Sequence, residues 1–558
     1  LARGAVAMSQ KKVIVKRLNS IQNFGAIDVL CSDKTGTLTQ DKVVLERHLD
    51  IHGAECEKAL QYAYLNSFYQ TGLKNLLDVA VLEHAGLRTS FRVGTDLRLV
   101  DEIPFDFGRR RMSVVVESER RCHLVITKGA VEEMLKICTT AELKGQRLPL
   151  GDDLREQAVQ MTRALNEDGL RVIAVAFREF TAHRETYSIA DESAMTLLGF
   201  IAFLDPPKET AAEAIRALKE HGVRVKILTG DNEVITRRVC CDVGLDASEI
   251  LLGSQVEELD AENLKRFAEN TTVFAKVSPT QKARIIHALK TGGHVVGFLG
   301  DGINDAAALR EADIGISVNT AVDIAKESAD IILLEKSLLV LEEGVLEGRR
   351  TFGNIFKYIR MGTSSNFGNV FSVLGASAWL PFLPMLPLQL LVQNLLYDVS
   401  QTAIPFDNVD DDFLSQPRKW KVGSIARFMV FIGPVSSIFD YATFCLMWFL
   451  FETKAPEHQS LFQSACFVEG LLSQTLVVHV IRTAKIPFIQ SRASWALTLL
   501  TSAIMAIGLA IPFTRFGLDL GLTPLPGAYF LWLLLILATY CALAQQVKGW
   551  FARRYGYY

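Results

Sequence analysis

The 558-residue chain has no excess of either charge, with 59 lysines and arginines against 62 aspartates and glutamates. That balance excludes the broad basic field on which sequence-independent nucleic-acid binding depends. Cysteine is sparse: nine residues, Cys240 and Cys241 adjacent, and no CxxC pair. The scatter argues against a disulfide framework or a zinc site, and fits reduced cytosolic or membrane-buried thiols. The opening residues lack the charged, apolar and small-residue succession of a signal peptide. Long apolar runs are missing from roughly the first two thirds and crowd the chain after about residue 360. The length exceeds one ordinary domain, so two or three compact units are expected, the last of them in a membrane.

The most informative stretch is residues 27–39, Ile-Asp-Val-Leu-Cys-Ser-Asp-Lys-Thr-Gly-Thr-Leu-Thr. Its apolar run stops at Asp33, which predicts a buried strand delivering a carboxylate to a polar turn, the place where α/β sheets keep their chemistry. Such a carboxylate can attack a phosphoryl group and hold it covalently. Lys34 can offset charge on the transferred group, and Gly36 lets the backbone turn close to it. A bare Asp-Lys would equally suit an acidic loop without chemistry. The whole string DKTGTLT carries the reading, because it resembles the phosphorylation signature of the P-type ATPases. Its flanks, and much of the remaining chain, resemble their bacterial magnesium-transporting branch.

Three further motifs follow at strand or helix ends. A strand over 223–228 ends in Thr229-Gly230-Asp231, where Thr229 can hydrogen-bond a phosphoryl oxygen with Asp231 nearby. The string SPTQKARII (278–286) places Lys282 at a helix start, either to neutralise a phosphorylated Asp33 or as an ordinary surface charge. An apolar strand over 295–299 runs into Gly300-Asp301-Gly302-Ile303-Asn304-Asp305. Magnesium takes one or two carboxylates plus phosphate and water, so Asp33, Asp301 and the Thr35 carbonyl make a suitable cage, with Asn304 and Asp305 orienting it. The order of nucleophile Asp, Thr, Lys and acidic metal loop resembles the haloacid-dehalogenase type. Ala307 and Asn319 depart from the family pattern, but neither is a proposed ligand.

These motifs set the expected fold class: α/β, with a haloacid-dehalogenase-like Rossmannoid phosphorylation domain (27–41 and 204–340) split by an inserted α+β nucleotide-binding domain (42–203). A basic connector (1–26) precedes it; a stalk helix (341–361) and an all-α membrane domain of six transmembrane helices (362–558) follow. The insertion predicts a helix over 57–83 and strands over 111–117, 122–128 and 171–177. Leu204-Asp205-Pro206-Pro207-Lys208 reads as the hinge by which the chain returns. An adenine ring needs an aromatic face and an apolar slot. Taken alone, Phe105 after Pro104 suits a core position better than a ligand. The resemblance implies a nucleotide site holding Phe105, Lys128, Gly129 and Arg171, with Glu83, Asp205 and Thr35 contributing. Arg109, Arg110 and Arg111 suit either steering of ATP or a solvated face.

Apolar stretches near 362–382, 387–405, 426–451, 461–481, 494–513 and 528–547 have the length to span a bilayer. An even number returns the C-terminus to the side of the phosphorylation domain. Arg418, Lys419, Lys421, Arg427, Arg482, Lys485, Arg492, Lys548, Arg553 and Arg554 fall on that side, against Lys454 and Arg515 opposite, which obeys the positive-inside rule. Polar groups inside spans mark a pathway or a packed partner. Asn366 and Asn369 share one helix face, as do Asn394 and Asp398 on the next. By resemblance these four match ion-site positions of the family; Asp440 and Glu469 are further candidates.

The resemblance implies ATP-driven cation transport through an aspartyl-phosphate, with ATP and Mg2+ as cofactors and Mg2+ import across a bacterial inner membrane as the task. It also implies a preceding part of the same pump, with four membrane helices and an actuator domain. Two other classes stay open: a pump for another cation such as Ca2+ or a phosphatase of the same fold, and a nucleotide-binding fragment without turnover.

Overall fold

The computed structural model describes all residues except 35, 41, 72–73, 85–96, 107, 118–121, 182–183, 420–421 and 558. Thr35 and Lys421 therefore lie outside the described residues. A first sheet runs in the order Val13–Val15, Ile331–Leu333, Ile314–Val318, Val296–Leu299, Val29–Ser32, Arg224–Leu228, Val273–Ala275, Ile250–Leu252. Its strands are parallel apart from Val13–Val15, which joins antiparallel at the edge. Parallel strands need helical crossovers on both faces, and so become apolar throughout. The central strands comply: every residue of Val29–Ser32, Val296–Leu299 and Ile314–Val318 is buried. The first 26 residues do more than connect, because Val13 and the buried Ile21 and Phe24 belong to this core.

The chain leaves and re-enters this unit through two paired segments. Gln40 N donates to the Pro206 carbonyl at 2.8 Å and Lys208 N to the Leu38 carbonyl at 2.8 Å. Between them lies a second sheet, in the order Arg98–Asp106, Arg111–Glu117, His123–Ala130, Leu170–Phe180, Met195–Leu204, Cys138–Leu143, Gln146–Pro149, with Val44–Leu49 also on Met195–Leu204. The helix expected over 57–83 is two helices, Glu57–Tyr69 and Leu76–Glu83. Asn75 starts the second: its Oδ1 accepts from Asp78 N at 3.0 Å, while Asp78 Oδ2 accepts from Asn75 N at 3.1 Å. This reciprocal cap fixes a new N-terminus where apolar spacing alone suggested continuity.

After Leu333 one helix, Leu338–Ala376, runs for 39 residues, about 58 Å. Four later helices are long and apolar enough to cross a membrane: Val422–Leu450, Gln459–Ile481, Trp495–Phe513 and Gly527–Tyr555. Gln459–Ile481 is almost wholly buried and forms the centre of this part. The first two expected spans differ. Residues 362–376 are the end of the helix Leu338–Ala376, and Pro387–Gln401 is a helix of 15 residues. Length and apolarity alone therefore support four crossings among the described residues.

Candidate active site

Parallel pairing aligns Val29 with both Val296 and Arg224, so three neighbouring strands end together. Asp33, Thr229 and Asp301 follow those ends. Asp33 Oδ1 accepts from Lys34 N at 2.7 Å, and its Oδ2 accepts from Lys282 Nζ at 2.7 Å. The same ammonium donates to Asp305 Oδ1 at 2.9 Å. Lys282 is delivered by the helix Pro279–Thr291, whose first turn is fixed by a Ser278–Gln281 capping box. Lys34 points away from Asp33, towards Asp231 Oδ2 at 2.8 Å and Asp205 Oδ2 at 3.0 Å. Gly36 has φ of 70°, a conformation that other residues adopt at a cost, and turns the chain back beneath the carboxylate.

Charge is closely balanced in this cleft. Burial drives the Asp33 carboxyl above its ordinary range, and the nearby Asp305 adds to that effect while Lys282 opposes it. Burial alone would lower the Lys34 ammonium, yet Asp231 and Asp205 together hold it above its ordinary value. Lys282 is likewise raised, because Asp33 and Asp305 more than offset its burial. Both lysines therefore stay charged beside Asp33. Thr229 is buried, with its hydroxyl accepting from Asp231 N at 3.1 Å. Asp305 Oδ2 accepts from the amides of Asp301 and Gly302 at 3.2 and 3.1 Å, which folds the acidic loop back on itself. Asn304 is exposed.

No group of three or more His, Cys, Asp or Glu side chains is placed to hold a metal among the described residues. Magnesium does not need one, since it keeps water and takes one or two carboxylates plus phosphate oxygens. Asp33 and Asp301, at the ends of adjacent strands, fit that donor set. Two cations escaped the sequence reading. Lys336 Nζ rests on Asp301 Oδ2, and Lys208 Nζ donates to the carbonyls of Gly36 and Lys336, at 2.7 Å each. Lys336 is 35 residues from Asp301, so no local spacing announces the contact.

The expected nucleotide residues are less uniform. Phe105 is half-exposed on its strand and Arg171 is exposed. Lys128 is buried, donating to Ser67 Oγ at 2.7 Å and to Asp78 Oδ1. Burial holds its ammonium below the ordinary lysine range despite Asp78. Asp78 and Ser67 were absent from the sequence reading, although the Asn75-x-x-Asp78 cap was available as a signal. A Cβ at Gly129 would lie 2.5 Å from Arg111 Cβ and 2.7 Å from the Arg110 carbonyl, so this glycine is required by strand packing. Glu83 sits on the surface, 3.8 Å from Lys42, and Asp205 pairs with Lys34 in the cleft at Asp33.

In the helical part, Asn366, Asn394 and Asp398 are exposed. Asp398 opens on a cleft lined by Arg3, Tyr358, Gln401 and Phe406. Asn369 is paired inward, its Oδ1 accepting from Gln474 Nε2 at 2.8 Å. Ser372 donates to Asp440 Oδ2, and the Asp440 and Glu469 carboxyl groups hydrogen-bond each other. Three helices thus share a buried polar seam. Arg482 and Lys548, expected as loop charges, are instead buried: Arg482 Nε donates to Asp407 Oδ2 at 2.7 Å, and Lys548 Nζ to the Val480 carbonyl at 3.0 Å.

The chain is similar to known proteins over most of its length. The model of the P-type ATPase cytoplasmic domain N matches residues 20–210, and that of the cation transporting ATPase C-terminus matches 382–550. A magnesium-transporting ATPase, P-type 1, of Escherichia coli strain K12 is 59% identical over 557 residues, which cover 100% of this chain and 62% of that protein. Its counterpart in Salmonella typhimurium strain 14028s is 58% identical over the same shares. A calcium-transporting ATPase of Bacillus subtilis strain 168 is 29% identical over 86% of this chain and 58% of that protein. The chain thus spans 62% of the length of the magnesium-transporting relatives.

Proposed function

Because the chain belongs to the P-type ATPases, we propose that it forms the catalytic and C-terminal membrane part of an ATP-driven cation pump that imports Mg2+ across a bacterial inner membrane. The observation that carries this is the Asp33 carboxylate, held by Lys282 at 2.7 Å where three parallel strands end. The magnesium assignment takes its support from the similarity to the magnesium-transporting relatives, and the calcium-transporting relative keeps Ca2+ as the second reading.

In this reading residues 27–41 and 204–340 form a haloacid-dehalogenase-like phosphorylation domain, and 42–203 the nucleotide-binding domain. ATP docks with its base near Phe105, Lys128 and Gly129 and its phosphates near Arg171. An Asp33 oxygen attacks the γ-phosphorus; the new bond forms as the bond to the bridging oxygen breaks, and ADP leaves with that electron pair. Lys282 opposes the upward push of burial on the carboxyl and aims it, Thr229 donates to a phosphoryl oxygen, and Lys34, shared with Asp231 and Asp205, offsets charge. A Mg2+ held by Asp33, Asp301 and the Thr35 carbonyl would neutralise developing phosphoryl charge, with Asn304 and Asp305 orienting the loop.

The membrane end of Leu338–Ala376 and the helix Pro387–Gln401 complete a six-helix domain with the four long apolar helices. In this reading the phosphorylation domain and the C-terminus lie together in the cytoplasm. The cargo path follows the seam of Asn369, Asp440 and Glu469, while Asn366, Asn394 and Asp398 face partners from the preceding part of the pump. Phosphorylation then biases the stalk between two access states.

The test is phosphorylation of the purified chain by γ-labelled ATP with Mg2+, beside Asp33→Asn, followed by an unlabelled chase. Hydroxylamine-sensitive label that is absent from the variant supports the reading. Label retained in Asp33→Asn, or resistant to hydroxylamine, would overturn it.

A further inference from the structure

Lys336 stands two residues before the 39-residue helix that enters the membrane part, and its ammonium rests on the Asp301 carboxylate. Its backbone carbonyl accepts from Lys208 Nζ at 2.7 Å, and that same ammonium reaches the Gly36 carbonyl at 2.7 Å. Residue 336 therefore touches both sides of the catalytic cleft. Its side chain holds the acidic loop, while Lys208 ties its backbone to the turn that follows Asp33. The helix begins immediately afterwards, with Ser337 Oγ accepting from Leu339 N at 3.3 Å. Little slack separates the cleft from the stalk.

An ammonium and a divalent cation cannot share one carboxylate oxygen without strong repulsion, and the Lys336 side chain is largely shielded from water, at 12% exposure. Lysine carries its charge as a compact point on a flexible stem, so it can withdraw without rebuilding the loop. We propose that Lys336 is a positioning residue that holds Asp301 until a divalent cation takes it, and that this exchange reports occupancy of the catalytic site to the start of the membrane-entering helix. The inference rests on the phosphoryl-transfer reading of Asp33 and Asp301. It adds a competitor for the metal carboxylate and a direct link from that carboxylate to the stalk.

The probe is Mn2+ in place of Mg2+, with binding to the full purified chain in detergent followed by loss of the free-ion paramagnetic resonance signal. Wild type is compared with Lys336→Met, Lys336→Arg and Asp301→Asn. The site lost in Asp301→Asn should bind Mn2+ at least about tenfold more tightly in Lys336→Met, because the competing charge is gone. Lys336→Arg keeps the charge and should stay within about threefold of wild type, which separates competition from a packing defect. Hydrogen exchange of the amides of 337–342 gives a second readout. Mn2+ should change their rates in wild type, whereas Lys336→Met should show the ion-loaded rates without Mn2+. Unchanged affinity and exchange in Lys336→Met, with the Asp301→Asn loss intact, would overturn the inference and leave phosphoryl transfer standing. Full binding in Asp301→Asn would remove the metal assignment and the inference together, while labelling of Asp33 remains a separate measurement.

Discussion

Lys282 Nζ lies 2.7 Å from Asp33 and 2.9 Å from Asp305, so one ammonium holds Asp33 and the acidic loop together. The side chains of Lys282 and Asp305 are 4% and 2% exposed, which leaves little water to take over if the ammonium is removed.

Lys282→Ala is therefore expected to lower phosphoenzyme formation by at least about 100-fold, since the developing charge loses its fixed partner. It should also destabilise the unit built on the first sheet by about 3–5 kcal/mol, the usual cost of stranding a buried charge. Lys282→Arg should recover most of the stability and little of the labelling, because the fork does not reproduce the point contact. Acid-stable label and thermal unfolding of the same preparations separate the two effects.

A pH dependence follows from Lys226, a buried residue whose ammonium donates to the carbonyls of Glu269 and Thr271 at 3.0 and 2.7 Å. Burial pushes it down to about 8 from the ordinary 10.5. Between those values the unfolded chain binds more protons than the folded one, so the Lys226 contribution to stability rises with pH across that window. The slope is at most about 1.4 kcal/mol per pH unit. Unfolding midpoints taken from pH 7.5 to 10 should climb in wild type relative to Lys226→Met; parallel profiles would refute the assignment.

Gly129→Ala tests whether the glycine serves packing or ligand approach. The added carbon would meet the backbone carbonyl of Arg110 as well as Arg111, so the two strands must separate. A stability loss of about 1–3 kcal/mol is expected, together with weaker binding of a fluorescent ATP analogue. Weaker binding at unchanged stability would instead assign the glycine to the nucleotide alone.

Asp407 holds both Lys357 Nζ and Arg482 Nε at 2.7 Å, and its carboxylate is fully buried. It fastens the long helix to the start of the segment after Ile481. Asp407→Ala should lower the unfolding midpoint by the equivalent of about 3–5 kcal/mol, and Asp407→Asn by less. Labelling of Asp33 in the solubilised variant should persist, because the cleft lies in a separate core; its loss would mean that the clamp also sets the catalytic geometry.

The convergence of the candidate site's strand ends was legible because each lies at a chain-local signal. An apolar run broken by Asp33, another ended by Thr229 and a third by Asp301 each announce a strand end, and parallel pairing can only bring such ends to one edge. The second sheet was legible for a similar reason: residues 111–117 and 122–128 alternate or run apolar, and the strands found are Arg111–Glu117 and His123–Ala130. A helix over 343–361 followed from its sequence pattern, although its full extent, Leu338–Ala376, did not.

What only the tertiary structure decided are the partners of charges. The amino-acid sequence determined that Lys128, Arg482 and Lys548 carry charge; packing decided that they are buried, where desolvation forces each against a carboxylate or backbone carbonyl. It likewise decided that Lys34 turns to Asp231 and Asp205, that Lys336 finds Asp301 across 35 residues, and that Asn366 and Asp398 face outward while Asn369, Asp440 and Glu469 face in. Local spacing determines strands, helices and the faces they offer. The pairing of charges is set by which faces meet, a property of the whole chain that acts through distance and exclusion of water.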